Sequence, residues 1–550
     1  MDSSQKERAV VSYDYIVIGG GSAGCVAAWR LTQEFGAKVL LLEAGGPDDG
    51  WLLRIPAGFV KLLSSKKYMS HHETVPQPQL DGRVLTIPQG RVLGGGSSIN
   101  AQAYMRGRIA DYDAWGELAG SEAWSWEKIL PHFKALEGNQ RFNDELHGID
   151  GPLKVGSGGF VCDMTHMFVR AVQGMGVPFR ADFNNGSPGG VGYLQITGTP
   201  GRRCSAVDAF LRPVMDNPNL HLRTHAHVTK IIVQNGRAMG VEFIHDGKIE
   251  SAHVDGEVLV AGGAFVSPKL LMLSGIGPAD HLRSLGIEVK VDLPGVGQNL
   301  QDHPGSPVVA STNGNYGHFG HDRGLKMVLN GIEYVLFRRG RITSTGVEAC
   351  SFHVPEDGTG DPVMQVYCVP TTSYAGDVPA VDGVTLHTVL LRPRSVGWVK
   401  LRSADPNDMP LVHPNYLEHP DDMRHHVAGV RAVREIMRSR PLADVIVDEL
   451  LPGPQATSDE DIAAHLRRTA RTDFHPVGTC RMGRSGDPAT VVGPDLAVQG
   501  VMGLRVIDAS IMPKLVSANT NAPTMAIADR AISLVRGVER VATGATAARA

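Results

Sequence analysis

The residues most able to do chemistry begin with three glycines, Gly19, Gly21 and Gly24, set between the apolar run Asp14-Tyr-Ile-Val-Ile18 and an apolar-rich stretch reaching Phe35. At that spacing the backbone turns tightly and a pyrophosphate can approach it at the N-terminus of the following helix. Ser22 and Ala23 lie inside the turn and are counted with the same site. Glu43 ends the next apolar run, where a carboxylate takes ribose hydroxyls, and Ala44 sits beside it. A carboxylate there disfavours a 2'-phosphate and leaves NAD and FAD both open. A second run, Gly90 to Gly107, interleaves apolar and polar residues around Gly94-Gly-Gly-Ser-Ser-Ile-Asn100. A buried amide at Asn100 would need a partner, which argues against a plain linker. His71-His72-Glu73 has metal-ligand types, but neighbouring histidines on a strand face opposite ways and no third ligand stands at a useful spacing, so no metal is expected. Cys480 reads as packing, and His303 as a satisfied structural histidine.

These groups need elements to hold them. From Tyr13 to Glu43 the pattern is strand, glycine turn, helix with Gly36 as its stop, and strand, which is one βαβ unit. Between His227 and Ala261, β-branched runs alternate with Asn235-Gly236, Asp246-Gly247 and Asp255-Gly256. Those pairs are hairpin signals and predict an antiparallel meander. An amphipathic helix is expected around Ser267 to Leu273, and a second strand-to-helix passage from Leu504 to Asp508 and then Ala522 to Gly537. The middle of the chain, from about Pro304 to Glu460, mixes strand-like stretches, loops and helices without a glycine fingerprint and reads as a separate cap.

With 550 residues, 42% hydrophobic and 20% charged, the chain can bury a large core and is not a disordered polymer. Its 65 glycines exceed the usual share and fit many close backbone approaches. The net charge of -4 lacks the basic footprint of a nucleic-acid binder. Six cysteines without a C-x-x-C pair fit reduced thiols in a cytosol. No apolar stretch nears the ~20 residues of a membrane span, and Met1 to Tyr13 lack a signal-peptide pattern, so a cytoplasmic protein is expected, with peripheral membrane contact left open.

The opening fingerprint, the Gly90 to Gly107 run, Gly263-Ala-Phe-Val-Ser-Pro-Lys-Leu-Leu-Met-Leu-Ser-Gly-Ile-Gly277, Leu293-Pro-Gly-Val-Gly-Gln-Asn-Leu-Gln-Asp-His303 and His475-Pro-Val-Gly-Thr-Cys-Arg-Met-Gly483 occur in that order. Together they resemble the glucose-methanol-choline (GMC) oxidoreductases over nearly the whole chain. The resemblance implies FAD as cofactor and oxidation of an alcohol to an aldehyde or ketone, with hydride passing to flavin N5. It implies a mixed α/β fold: a Rossmann-like FAD-binding domain with an antiparallel meander, plus a substrate-binding cap with an antiparallel sheet. The expected FAD domain is built from 11–160, 200–305 and 465–540, the cap from 161–199 and 306–464, and 541–550 is a flexible tail.

The resemblance also places the catalytic pair at His475 and Asn519. A neutral imidazole can accept the hydroxyl proton, whereas Asn519 cannot titrate and would hydrogen-bond the substrate oxygen. By motif position Val92, Gly94, Gly96, Asn100, Ala101 and Ala103 would line the flavin, Val228 the adenine, and Asp508 with Ala509 the ribityl and phosphate region. Asn521 opens a helix whose N-terminus would favour negative charge on the pyrimidine ring. Ile99 stands where some members carry a histidine bonded to FAD; it has no nucleophile, so dissociable FAD is expected. Phe474 and Tyr104 are the expected substrate contacts. The branch resembles bacterial choline, sorbose, polyethylene glycol and alcohol dehydrogenases, with a quinone, redox protein, dye or O2 as acceptor. An oxidase releasing H2O2, or a lyase or decarboxylase on the same fold, is the alternative.

Overall fold

The computed structural model describes residues 12–186, 189–353, 360–375 and 378–540; the expected tail at 541–550 lies outside the described residues. β1 (Ser12–Ile18) and β2 (Val39–Leu42) are apolar nearly throughout, as strands covered on both faces require, and they pair in parallel. Between them α1 (Ser22–Phe35) begins at Gly21 and ends at Gly36, which takes the left-handed conformation. β3 (Leu220–Arg223) extends the sheet in parallel beyond β2. On the other side β4 (His227–Gln234), β5 (Arg237–His245) and β6 (Lys248–Val260) form the meander, with order β3-β2-β1-β6-β5-β4. Asn235 and Asp246 adopt φ 50 at the two hairpin turns, as primed turns demand.

The third hairpin signal is corrected by the structure. β6 runs straight through Asp255-Gly256, and the pair forms a bulge opposite β1 instead of a turn. A Cβ on Gly256 would lie 2.2 Å from the Asp14 carbonyl oxygen, so the glycine serves a close strand approach. The far end of β6 pairs in parallel with β1 and with β7 (Leu504–Val506), closing a seven-stranded sheet from three distant parts of the chain.

α2 (Gly263–Leu273) follows β6, α3 (Gly324–Phe337) lies in sequence between residues 312 and 349, and α4 (Asn521–Arg536) follows β7. α4 packs on α1. Buried Arg30 of α1 donates to Ser533 Oγ (2.9 Å) and lies 3.5 Å from Asp529, which also meets His132 Nδ1 at 2.6 Å. The hydrogen bond from His132 and the guanidinium groups of Arg540 (3.0 Å) and Arg30 hold the carboxyl of Asp529 down to about 2 despite its burial. The second sheet also has seven strands: 446–451, 304–312, 383–390, 364–369, 349–353 and 190–193 in that order, with 471–472 beside 304–312. All its pairings are antiparallel, and helix Pro420–Arg438 covers a face of it. The fold is therefore the expected α/β mixture of a parallel core with meander and a largely antiparallel second sheet.

Candidate active site

Strand 471–472 leads into a constrained backbone: Phe474 takes φ 67, a region that bulky residues rarely occupy. Two bonds hold it there. The Phe474 N–H donates to Thr472 Oγ1 (2.8 Å), and the His475 N–H donates to Asp302 Oδ1 (2.9 Å). Asp302 also accepts from Thr472 Oγ1 (2.6 Å) and from the Tyr416 hydroxyl. Burial pushes its carboxyl up to about 6.

The hydrogen bonds through His475 run in one direction and fix its tautomer. His303 Nε2 lies 3.1 Å from the Leu391 carbonyl oxygen, which can only accept, so that nitrogen carries the proton and His303 Nδ1 is an acceptor. His475 Nδ1, 3.0 Å away, must donate to it. His475 Nε2 is then the unprotonated nitrogen and accepts from Asn519 Nδ2 at 3.1 Å. Asn519 Oδ1 accepts in turn from the Tyr367 hydroxyl (2.9 Å). Burial, and secondarily the neighbouring His303, hold the His475 imidazole well below its usual range, so it is neutral near pH 7. His303 is lowered to about 4 by burial.

His475 and Asn519 face a cavity of about 240 Å³. Phe59, Leu63, Met69, Val347, Val369 and Phe474 supply apolar wall. Asp473 and His387 supply the titratable part: their side chains lie 3.3 Å apart, and Asp473 Oδ2 is 3.7 Å from His475 Nδ1. Burial raises Asp473 to about 7 and pushes His387 well below its usual range. Tyr104, expected at the substrate, does not line this cavity. It is buried in the core with its hydroxyl taken by Arg106 Nε (3.3 Å).

The same cavity opens onto the glycine turn. Ser22, Gly96, Asn100, Ala101, Ala103, Ala509 and Asn521 line it alongside Ile99. The N-termini of α1 and α4 converge here, joined by a 2.7 Å bond from Ser22 Oγ to Asn521 Oδ1. Neither helix start has a side-chain cap, which leaves backbone donors for an anionic ligand. Gly24 is required for the turn itself, because a Cβ there would lie 1.9 Å from the Gly19 carbonyl oxygen. By contrast a Cβ on Gly96 would meet no protein atom within 4 Å. Ser22 of the turn and Gly96 thus face open space in front of two uncapped helix starts, and the residues present fit a flavin dinucleotide.

Other expected cofactor residues stand behind that surface. Glu43 accepts from the N–H groups of Gly20 (2.8 Å) and Gly45 (2.7 Å), bracing the turn, and burial raises its carboxyl. Gly19, Gly21, Ala23, Ala44, Val92, Gly94 and Val228 are not among the cavity-lining residues. Asp508 likewise does not reach the cavity. Its oxygens accept from Gly263 N–H (2.8 Å), Ser267 Oγ (2.6 Å) and Ser510 N–H (2.8 Å), fixing the start of α2. Sequence reasoning passed over Asp473, His387, Tyr367 and the contact of His303 with the base; only His303, with Asp302, carried a signal, as the end of the Asn-Leu-Gln-Asp-His run.

Two uncapped helix starts opening onto a cavity that presents the neutral imidazole of His475 are the arrangement of a dinucleotide-dependent oxidoreductase. Residues 13–305 match the N-terminal and 393–528 the C-terminal family model described as GMC oxidoreductase, and the chain belongs to that family. It is 41% identical over 532 residues to an alcohol dehydrogenase (acceptor) of Pseudomonas putida, covering 95% of each chain. To the mitochondrial choline dehydrogenase of Mus musculus it is 40% identical over 544 residues, covering 96% of this chain and 91% of the relative. Among solved structures, pyridoxine 4-oxidase from Mesorbium loti superposes with a TM-score of 0.86 at 28% identity, covering 96% and 99%. The protein is an oxidoreductase acting on CH–OH groups, with FAD implied by its family. Among the described residues, no helix is long and apolar enough to cross a membrane.

Proposed function

We propose that the protein oxidises an alcohol to an aldehyde or ketone with His475 as the base and Asn519 as the hydrogen-bonding partner of the substrate oxygen. The observation that carries this reading is the direction of the bonds from Tyr367 to Leu391, which leaves the unprotonated Nε2 of His475 facing Asn519 at the cavity wall. A hydroxyl entering between them would donate to Nε2 and accept from Asn519 Nδ2. As the proton arrives at Nε2, the charge spreads toward Nδ1, where His303 and Asp473 can support it. When bound, FAD supplies the hydride acceptor. Gly19, Gly21, Ser22, Ala23, Gly24, Glu43 and Ala44 would hold its dinucleotide end. Gly96, Asn100, Ala101, Ala103, Ala509 and Asn521 would hold the ring end, and Ile99, a hydrocarbon at the cavity, would leave FAD dissociable.

The substrate we favour is an aliphatic or aromatic alcohol. Six apolar side chains face a single carboxyl, which is largely protonated below pH 7 and gives a quaternary ammonium little counter-charge. The acceptor we favour is a quinone, redox protein or dye, as in a dehydrogenase, with a location in the cytoplasm. The test is anaerobic bleaching of the flavin band by a panel of alcohols including choline. Primary apolar alcohols should bleach it faster than choline does, and His475→Ala should retain flavin while slowing bleaching by about 10²- to 10⁴-fold. A variant reduced at the native rate would remove His475 from the mechanism, and fast recovery of colour in air would make the protein an oxidase.

A further inference from the structure

Helix α3 carries its apolar stripe on the wrong side for a core helix. Leu325, Val328, Leu329, Ile332, Val335 and Leu336 recur at spacings of three and four, which places them on one face. That face points to solvent, with every one of the six between 50% and 72% exposed. Tyr334, half a turn away from the stripe, is the residue the helix buries, and its hydroxyl donates to the Gly201 carbonyl oxygen at 2.7 Å. The helix is thus pinned by its opposite side while the apolar side is left uncovered.

The patch continues next to the cavity. The turn Arg341–Thr343 that follows α3 packs against Pro56–Gly58, and Gly346 approaches Phe59 and Val60. Phe59 and Leu63 line the cavity, whereas Val60 between them is 58% exposed and Trp51, one short helix earlier, is 68% exposed. Basic residues rim these apolar groups. Arg323, Lys326, Arg338 and Arg339 are exposed around α3 against Asp322 and Glu333, the latter paired to Arg339 at 3.2 Å. Arg54, Lys61, Lys66 and Lys67 are exposed between Trp51 and Tyr68, a stretch with no acidic residue; Lys67 is 3.8 Å from Asp49. In a chain where Asp and Glu outnumber Lys and Arg by 57 to 53, this clustering is a local property of the patch.

We propose that this surface docks on an anionic phospholipid bilayer, with the stripe of α3, Trp51 and Val60 in the interfacial region and the basic rim against the headgroups. At 14 residues the helix spans about 21 Å, short of the ~30 Å hydrocarbon core, so it lies in the plane of the interface. An exposed aromatic and a lysine- and arginine-bearing border are the side chains such a position uses. A second copy of this chain is the poorer occupant, because a self-complementary contact through this face would set the basic rim against itself. Docking here would bring the Phe59 and Leu63 wall of the cavity close to the lipid surface.

The test uses the full-length FAD-loaded protein in flotation with vesicles of phosphatidylcholine plus phosphatidylglycerol, and with vesicles of phosphatidylcholine alone. The protein should float with the anionic vesicles and bind the neutral ones at least about tenfold more weakly. Raising the salt should release it in part. The double substitution Leu329→Glu with Ile332→Glu changes solvent-facing positions, so dye-coupled alcohol oxidation in solution should be unchanged while vesicle binding falls at least about tenfold. Lys326→Gln with Arg339→Gln should narrow the preference for anionic over neutral vesicles. Three results overturn the proposal: no flotation of the native protein, equal binding of the glutamate variant, or a dimer in sedimentation that the glutamate pair dissolves, which would assign the face to a second copy.

Discussion

At the scale of single residues, the base is defined by its partners more than by its identity. A lone histidine among 22 has no visible role; His475 acquires one because His303 accepts the hydrogen bond from its Nδ1–H and Asn519 marks its Nε2. The motif pointed to His475 and Asn519, but Tyr367 and His387 sit on strands far from any motif, and their arrival at the cavity depends on sheet register that no local pattern encodes. Asp473 yields a pH prediction. With its carboxyl raised to about 7, it is neutral below that value and a carboxylate above it, lying 3.7 Å from His475 Nδ1 with Arg471 and His387 as charged or titratable neighbours. A carboxylate there stabilises the imidazolium and makes Nε2 the stronger base. The rate of flavin reduction should therefore rise through pH about 7, by roughly two- to tenfold, and because the imidazole titrates well below its usual range no further loss should appear across the ordinary histidine range. Asp473→Asn should flatten the step near 7, measured by stopped-flow reduction with one apolar alcohol; a step that survives the substitution belongs to another group.

At the scale of elements, glycines that look alike in the sequence do different work. Gly24 is needed by the protein, since its missing Cβ makes room for the Gly19 carbonyl, whereas Gly96 faces space that only a ligand would fill. Gly24→Ala should cost on the order of 1–3 kcal/mol of stability even without FAD, because backbone must shift to accept the methyl group. Gly96→Ala should melt like the native apoprotein and yet bind FAD at least about tenfold more weakly. Thermal unfolding of the apo forms with flavin titration separates the two, and equal FAD affinity for Gly96→Ala and the native chain would move the ring away from this loop. The same ambiguity explains where sequence reading slipped. The βαβ unit and two hairpins were legible because turn chemistry and apolar runs agreed, but Asp255-Gly256 satisfies a bulge as readily as a turn, and only the pairing of β6 with β1 decides. The uncovered stripe of α3 was written in the spacing of its apolar residues, yet an apolar stripe is ordinarily read as core-facing, and its direction becomes visible only from the burial of Tyr334.

At the scale of the whole molecule, the cofactor site is where the chain is tied together. The residues around it come from both ends: Ser22 near the start, the loop Gly96–Ala103, and Ala509 with Asn521 near the finish, with the α1–α4 packing and the Ser22–Asn521 bond between them. A ligand held by all of these binds the folded chain and has no comparable site in the unfolded one, so it stabilises by mass action, about 2.7 kcal/mol at a hundredfold excess over its dissociation constant. The melting temperature should accordingly climb with FAD concentration and go on climbing after the site is full, while FMN, which lacks the adenylate half, should shift it less. Ile99 adds a second expectation from the same site: acid precipitation should leave all the flavin in the supernatant, because no nucleophile stands at that position to retain it. Apo and FAD-loaded protein melting together would mean that the cofactor does not bridge these segments, and colour remaining in the precipitate would mean that another side chain at the cavity bonds it covalently.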